Sequence, residues 1–371
     1  MFGFSALMIA SKNISGGGGS GWISQPGTLW ACGRNSYGQF GQGSTSTSPY
    51  SSMVQIPGSW LFAAATNYNL YGSSYYIKND NSLWVAGYNN YGQLGQKNTT
   101  NYSSLVQISG SWLACIGAKS NLYAIKSNSS LWGCGYNQYG CLGLNSSTVS
   151  YSSMVQISSS SWISVAAGLN SVLAIKNNYS LWVAGYNNYG QLGTKDTTTY
   201  SSLVQISGSW LYCSGGYTHN MFIRSNYSLW SCGNNMSGQL GTGDYLNYSS
   251  PVQINGSWLH ISCGNYFTMG IKSDYTLWGC GINTIGQLGR QPTGSANSMV
   301  QIPGSWLSVE CGEAFFLALK SDYTIWGCGD NNMGQLDKYP PPYSYSSIIQ
   351  FPGSWKKIGL INGAYSTFLL Q

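Results

Sequence analysis

Leu83-Trp84-Val85-Ala86-Gly87-Tyr88-Asn89-Asn90-Tyr91-Gly92-Gln93-Leu94-Gly95 decides the fold, because the chain uses it more than once. Residues 181–193 repeat it without a substitution, and the leading Leu-Trp or Ile-Trp pair recurs at Trp30, Trp84, Trp132, Trp182, Trp230, Trp278 and Trp326. The steps are 54, 48, 50, 48, 48 and 48 residues. A self-similar period of this size signals a solenoid or a propeller rather than a single packed domain. Within each copy a short apolar run bounded by Gly and Asn reads as a strand entering a turn.

A second tryptophan closes each unit in a Gly-Ser-Trp or Ser-Ser-Trp run, at Trp60, Trp112, Trp162, Trp210, Trp258, Trp306 and Trp355. Residues 210–254 illustrate one unit: a run from Trp210, then Asn220 to Arg224, Ser228 to Gly233 and Pro251 to Ile254. Four strands in about 48 residues is the size of one propeller blade. The spacing therefore predicts an all-β, seven-bladed propeller of four-stranded blades. Residues 355–370 supply a first and a second strand and then stop, whereas residues 28–33 and 53–56 supply a third and a fourth. The last blade is expected to be closed by both termini, which removes the free sheet edges of an open array.

The signature Gly-x-Asn-x-x-Gly-Gln-Leu-Gly stands at Gly87 to Gly95 and at Gly185 to Gly193, and degenerates between Gly329 and Asp337. With its flanking Leu-Trp and Val-Gln-Ile it resembles the regulator-of-chromosome-condensation repeat family, over residues 27–371. The resemblance implies a propeller. It leaves function open, since such propellers serve as nucleotide-exchange factors, secreted enzyme inhibitors and binding modules.

Only 6% of the 371 residues are charged, against roughly 25% in an ordinary globular chain. The net charge of +6 is scattered rather than clustered, so a nucleic-acid partner is not expected. No apolar run reaches the length of a spanning helix.

Asn35, Asn89, Asn137, Asn187, Asn235, Asn283 and Asn331 occupy one place in every copy, which points to turn-closing hydrogen bonds. No helix follows the glycines, so they form no phosphate cradle. The ten cysteines include no C-x-x-C, and those aligned with Ala86 and Ala184 read as small buried fillers with free thiols. Cys141 replaces a turn glutamine and is expected to be the most exposed. Lys78, Lys126, Lys176, Arg224, Lys272 and Lys320 end the second strands. They read as solvated edge residues, with a cationic ring for an anionic partner as the alternative.

Acid–base catalysis and metal binding need His, Asp or Glu converging in a pocket. Here His219 and His260 are the only histidines, and Glu310 and Glu313 have no histidine in their own unit. No catalytic residue, metal ligand or cofactor site is assigned. Ten Asn-x-Ser/Thr triplets, such as those at Asn128, Asn178 and Asn226, would be glycan acceptors in a secreted chain. Residues 1–21 read as a tail with a Gly-rich linker before a propeller over 22–371. Its apolar residues Phe2, Phe4, Leu7, Met8 and Ile9 are candidates for docking into an assembly.

Connections after first and third strands share one face of the ring. Tyr68, Asn121, Asn170, Tyr217, His219, Tyr266 and Phe315 lie nearest its axis, with the Tyr-Asn-Asn-Tyr turns farther out. Tyr, Asn, Ser and Gly are the residues of adaptable recognition loops. The expected function is a non-enzymatic structural or binding propeller that recognises a protein or glycan partner, extracellular or on a virion. The alternative is a soluble regulator, such as a secreted inhibitor or an exchange factor in the cytoplasm.

Overall fold

The computed structural model describes residues 26–371 except 69, 70, 148, 160, 292, 338–342, 360, 362 and 363. The tail residues Phe2, Phe4, Leu7, Met8 and Ile9 lie outside the described residues. Among those described, the chain forms twenty-six strands and no helix. Two strands, Ser46–Tyr68 and Tyr248–Cys263, each run through two sheets. The hydrogen-bonded order accordingly divides into seven antiparallel groups of four. Blades 1 to 6 occupy 60–108, 112–158, 162–206, 210–254, 258–302 and 306–350, and blade 7 combines 357–370 with 27–56.

Both termini build that last blade, as the half-units in the sequence require. Leu29 pairs with Leu370, Ala31 with Phe368 and Gly33 with Ser366. Phe368, Leu369 and Leu370 are buried in one core with Leu29, Trp60, Tyr76, Phe315 and Leu317, which joins blades 6, 7 and 1. The inner strands are covered on both faces by neighbouring blades, whereas outer strands such as Tyr102–Ile108 are partly exposed. The inner strand Asn121–Lys126, for example, is buried at every position except its last.

The repeat signature explains how blades lean on one another. Each signature asparagine accepts a hydrogen bond from a backbone amide five residues on, as Leu94 N donates to Asn89 Oδ1 at 2.8 Å. The turn so formed lays a glycine on the next blade: a Cβ at Gly92 would lie 2.3 Å from Ser152 Cα. The same approach links Gly334 of blade 6 to Ser51 of blade 7 and Gly38 of blade 7 to Ser103 of blade 1, so the contact runs across the closure. Gly87 ends its strand at a φ of 108°, where a Cβ would meet Gly72 O at 2.4 Å. Only glycine fits there.

The cations at the ends of the second strands are half-buried rather than freely solvated edge residues. Each is held between two tryptophans: Lys126 Nζ lies 3.7 Å from the Trp132 ring centre and 5.1 Å from that of Trp112. Lys78, Lys176, Arg224, Lys272 and Lys320 repeat the clamp. The outer indole is fixed in turn, with Trp132 Nε1 donating to Ser130 Oγ, which donates to Asn128 Oδ1. The repeat spacing hides this because one clamping tryptophan is reached across a turn and the other on the neighbouring strand.

Candidate functional site: the tyrosine-lined loop face

The turns after the third strands place tyrosines side by side around part of the ring. Tyr37 lies 5.1 Å from Tyr88, and Tyr71 stacks on Tyr88 at 4.6 Å. The series continues from Tyr88 to Tyr91 at 6.4 Å, to Tyr136 at 5.3 Å, to Tyr139 at 6.3 Å, to Tyr186 at 5.0 Å and to Tyr189 at 6.4 Å. These eight rings form an arc over blades 7, 1, 2 and 3. Successive contacts from Tyr88 onward are edge-to-face, the favourable arrangement of aromatic quadrupoles. Tyr71 and Tyr91 are the most exposed, at 40% and 39%. In blades 4 to 6 the matching positions hold Asn234 and Ser237, Ile282 and Ile285, and Asp330 and Met333. The arc therefore has one side.

Exposed amides alternate with the rings: Asn90, Gln138 and Asn188 each stand between two tyrosines of one turn. Tyr136 Oη donates to Gln138 Oε1. Lys119 Nζ lies 5.9 Å from the Tyr136 ring centre and supplies a positive charge beside the arc.

The residues expected nearest the axis divide into surface and support. Tyr217 and Tyr266 reach the surface as a ring pair 5.3 Å apart, beyond the blade that ends the arc. Asn121, His219 and Phe315 are buried, which corrects their expected place among exposed loops. The hairpin turns are tighter than the sequence suggests, so each of these residues is already the first of a second strand. Asn121 Nδ2 donates to Tyr136 O and so braces the arc from below. His219 Nε2 meets Thr268 Oγ1 at 3.0 Å, and burial pushes its pKa down to about 3. Asn170 is buried one residue before its second strand. Tyr68 ends its strand opposite Tyr71, and its side chain lies outside the described residues. Cys141 is fully buried, contrary to expectation: its turn folds inward, and its Sγ donates to Tyr136 O at 2.9 Å.

A second polar group lies on the axis, where the first strands line a cavity of about 60 Å³. Tyr212 Oη is 3.2 Å from His260 Nε2, His260 Nε2 is 3.7 Å from Glu310 Oε1, and Ser262 Oγ donates to Glu310 Oε2 at 3.4 Å. Tyr212 and His260 stand two residues after Trp210 and Trp258, whereas Ser262 and Glu310 stand four after Trp258 and Trp306. Equal register in successive blades pairs Tyr212 with His260 and Ser262 with Glu310, a signal that comparing units side by side would have shown. His260, by contrast, meets Glu310 two positions out of register. Burial pushes Glu310 up to about 8, opposed by the Lys357 ammonium, and pushes His260 down to about 4. Near neutral pH both groups are mostly uncharged, so their contact is not an ion pair. No group of three or more His, Cys, Asp or Glu able to hold a metal ion occurs among the described residues.

The family model for the regulator of chromosome condensation (RCC1) repeat matches residues 228–271, and a second model of that repeat matches residues 306–335. Two segments of the chain thus match the RCC1 repeat. Solved RCC1-like propellers superpose on it at 15% sequence identity. Prp20p from Saccharomyces cerevisiae, described with its binding properties to Gsp1p and histones, gives a TM-score of 0.83 over 93% of this chain and 91% of its own. Human WBSCR16 gives 0.81 over 92% of this chain and 99% of its own. Yeast RCC1 (Prp20) bound to Kap60 gives 0.79, over 93% and 88%. No curated protein sequence matches the chain. At this identity the likeness fixes the RCC1 fold and leaves the work of its loop face to the residues themselves.

Proposed function

We propose that this RCC1-repeat propeller is a non-enzymatic binding protein that holds a macromolecular partner against its tyrosine-lined loop face. The observation that carries the reading is the one-sided arc from Tyr37 to Tyr189 on an otherwise repetitive scaffold. Rigid, amphipathic rings give contact area at low ordering cost, and the intervening amides adapt to polar groups. The binding of Gsp1p and histones by Prp20p supports partner capture as work this fold can do. An exchange-factor reading for this chain is less well supported, because charged contacts are few at 6% of residues. The uncharged surface supports an extracellular or virion-surface setting as part of the proposal, with residues 1–21 as the fastener to an assembly.

The test is capture of partner by immobilised protein, comparing the wild type with Tyr91→Ala/Tyr139→Ala/Tyr189→Ala. The triple variant should lose tenfold or more in capture with its melting temperature nearly unchanged. Equal capture by both proteins would sink the loop-face reading. A turnover activity abolished by His260→Ala would sink the non-enzymatic one.

A further inference from the structure

We infer that the occupant of the arc is an uncharged, linear polysaccharide, a refinement that rests on the reading of the loop face as a binding surface. The arc is serial: Tyr88-Asn89-Asn90-Tyr91, Tyr136-Asn137-Gln138-Tyr139 and Tyr186-Asn187-Asn188-Tyr189 repeat ring, exposed amide and ring in the same order on three adjacent blades, with Tyr88 buried and the exposed Tyr71 stacked on it. The contacts Tyr91 to Tyr136 and Tyr139 to Tyr186 join these units end to end. Identical units in series match a ligand that repeats itself. A folded protein or a peptide of mixed sequence does not.

Chemistry then selects among repeating polymers. A sugar ring offers a face of polarised C–H groups, which the negative face of an aromatic ring attracts. Its hydroxyls donate and accept, and Asn and Gln are the uncharged side chains that do both. Asn90, Gln138 and Asn188 are exposed at the positions where such hydroxyls would pass. Single-stranded nucleic acid also stacks on aromatic platforms but needs a cationic groove along its phosphates. The arc has Lys119 beside Tyr136 and the half-buried Arg34 next to Tyr37. These two, with the exposed Lys97 and Lys195 farther along the same connections, are too scattered over four blades to make that groove. The lysines of the second strands cannot add to it, since they sit between tryptophans.

Retention of the full chain on insoluble cellulose, chitin and β-1,3-glucan tests the assignment, with heparin, a single-stranded oligonucleotide and polyproline as competing probes. Binding to at least one of the three neutral polysaccharides is expected. It should persist at about 1 M salt, where charges are screened beyond about 3 Å. Tyr91→Ala/Tyr139→Ala/Tyr189→Ala should weaken it tenfold or more, and Asn90→Ala/Gln138→Ala/Asn188→Ala severalfold, both without loss of melting temperature. Absence of binding to all three polysaccharides, or stronger salt-sensitive binding to heparin or the oligonucleotide, overturns the assignment. So does arc-dependent binding to polyproline in place of the polysaccharides. If the sugars fail while the tyrosine variants still lose partner capture, the binding-face reading survives and the polysaccharide alone falls.

Discussion

His260 of blade 5 and Glu310 of blade 6 face each other across 3.7 Å on the axis of the ring, and burial keeps both from carrying charge near neutral pH. Glu310 ionises at about 4.5 when unfolded and about 8 when folded. A raised carboxyl contributes stability that is full below its unfolded value and is lost as pH rises through its folded one. His260 acts in the opposite sense, losing stability as pH falls from 6.5 through about 4. Lys357, pushed down to about 8 from 10.5 by burial, changes its contribution above pH 8. From pH 6.5 to 8 Glu310 therefore dominates within this group. Stability should fall there by at most about 1.4 kcal/mol per pH unit, and Glu310→Gln should flatten the slope in denaturant titrations. A variant slope equal to that of the wild type would refute the assignment.

Lys126 supports a different prediction, because its ammonium stands 3.7 Å from the ring centre of Trp132. A partly desolvated cation–π contact contributes about 1–2 kcal/mol. Lys126→Met keeps the apolar stem and should cost roughly that amount in urea unfolding, whereas Lys126→Arg should cost little, as Arg224 fills the same clamp in blade 4. Equal losses for the two variants would mean that stem packing, not charge, holds the position.

The fold was legible because a repeat states its own register: the tryptophan spacing and the two half-units placed residues 28–33 beside the C-terminal strand, where Leu29 pairs with Leu370. The site was legible only in part. The Tyr-Asn-Asn-Tyr turns stood out by composition, but their continuity does not, since Tyr91 meets Tyr136 across a blade boundary. Asn121, His219 and Phe315 were placed in loops because a turn shorter by a residue or two is invisible in a Gly- and Asn-rich stretch. The same blade-to-blade geometry hid the Glu310 contact with His260, since within one unit each lacks its partner. The tryptophan clamps lie within one blade and were hidden by the hairpin that folds Trp132 back over Lys126.

Thiol chemistry follows from the inward fold of the turn at Cys141. All ten cysteines are buried and free, and burial pushes the Cys141 and Cys263 thiols up to about 12. The thiolate is the reactive form. Native protein should thus label slowly at every site, Cys141 included, and reach ten thiols per chain only after denaturation. Rapid labelling of Cys141 would show that its turn opens in solution.

Ring closure carries the last prediction. Ser366–Leu370 is the strand that covers the edge of Gly27–Asn35, and Phe368 fills the core shared by blades 6, 7 and 1. Phe40 and Tyr76 lie 5.9 and 5.8 Å from the Phe368 ring, both edge-on, so a smaller residue leaves a void that those neighbours cannot fill without losing their own contacts. Phe368→Ala should cost about 3–5 kcal/mol. Deleting residues 366–371 goes further, uncovering a row of unpaired backbone groups that invites pairing with another chain. The truncated protein is expected to aggregate, whereas Phe368→Ala should remain a soluble ring with a lower unfolding midpoint. If both variants melt with the wild type as monomers, the termini do not hold the ring closed.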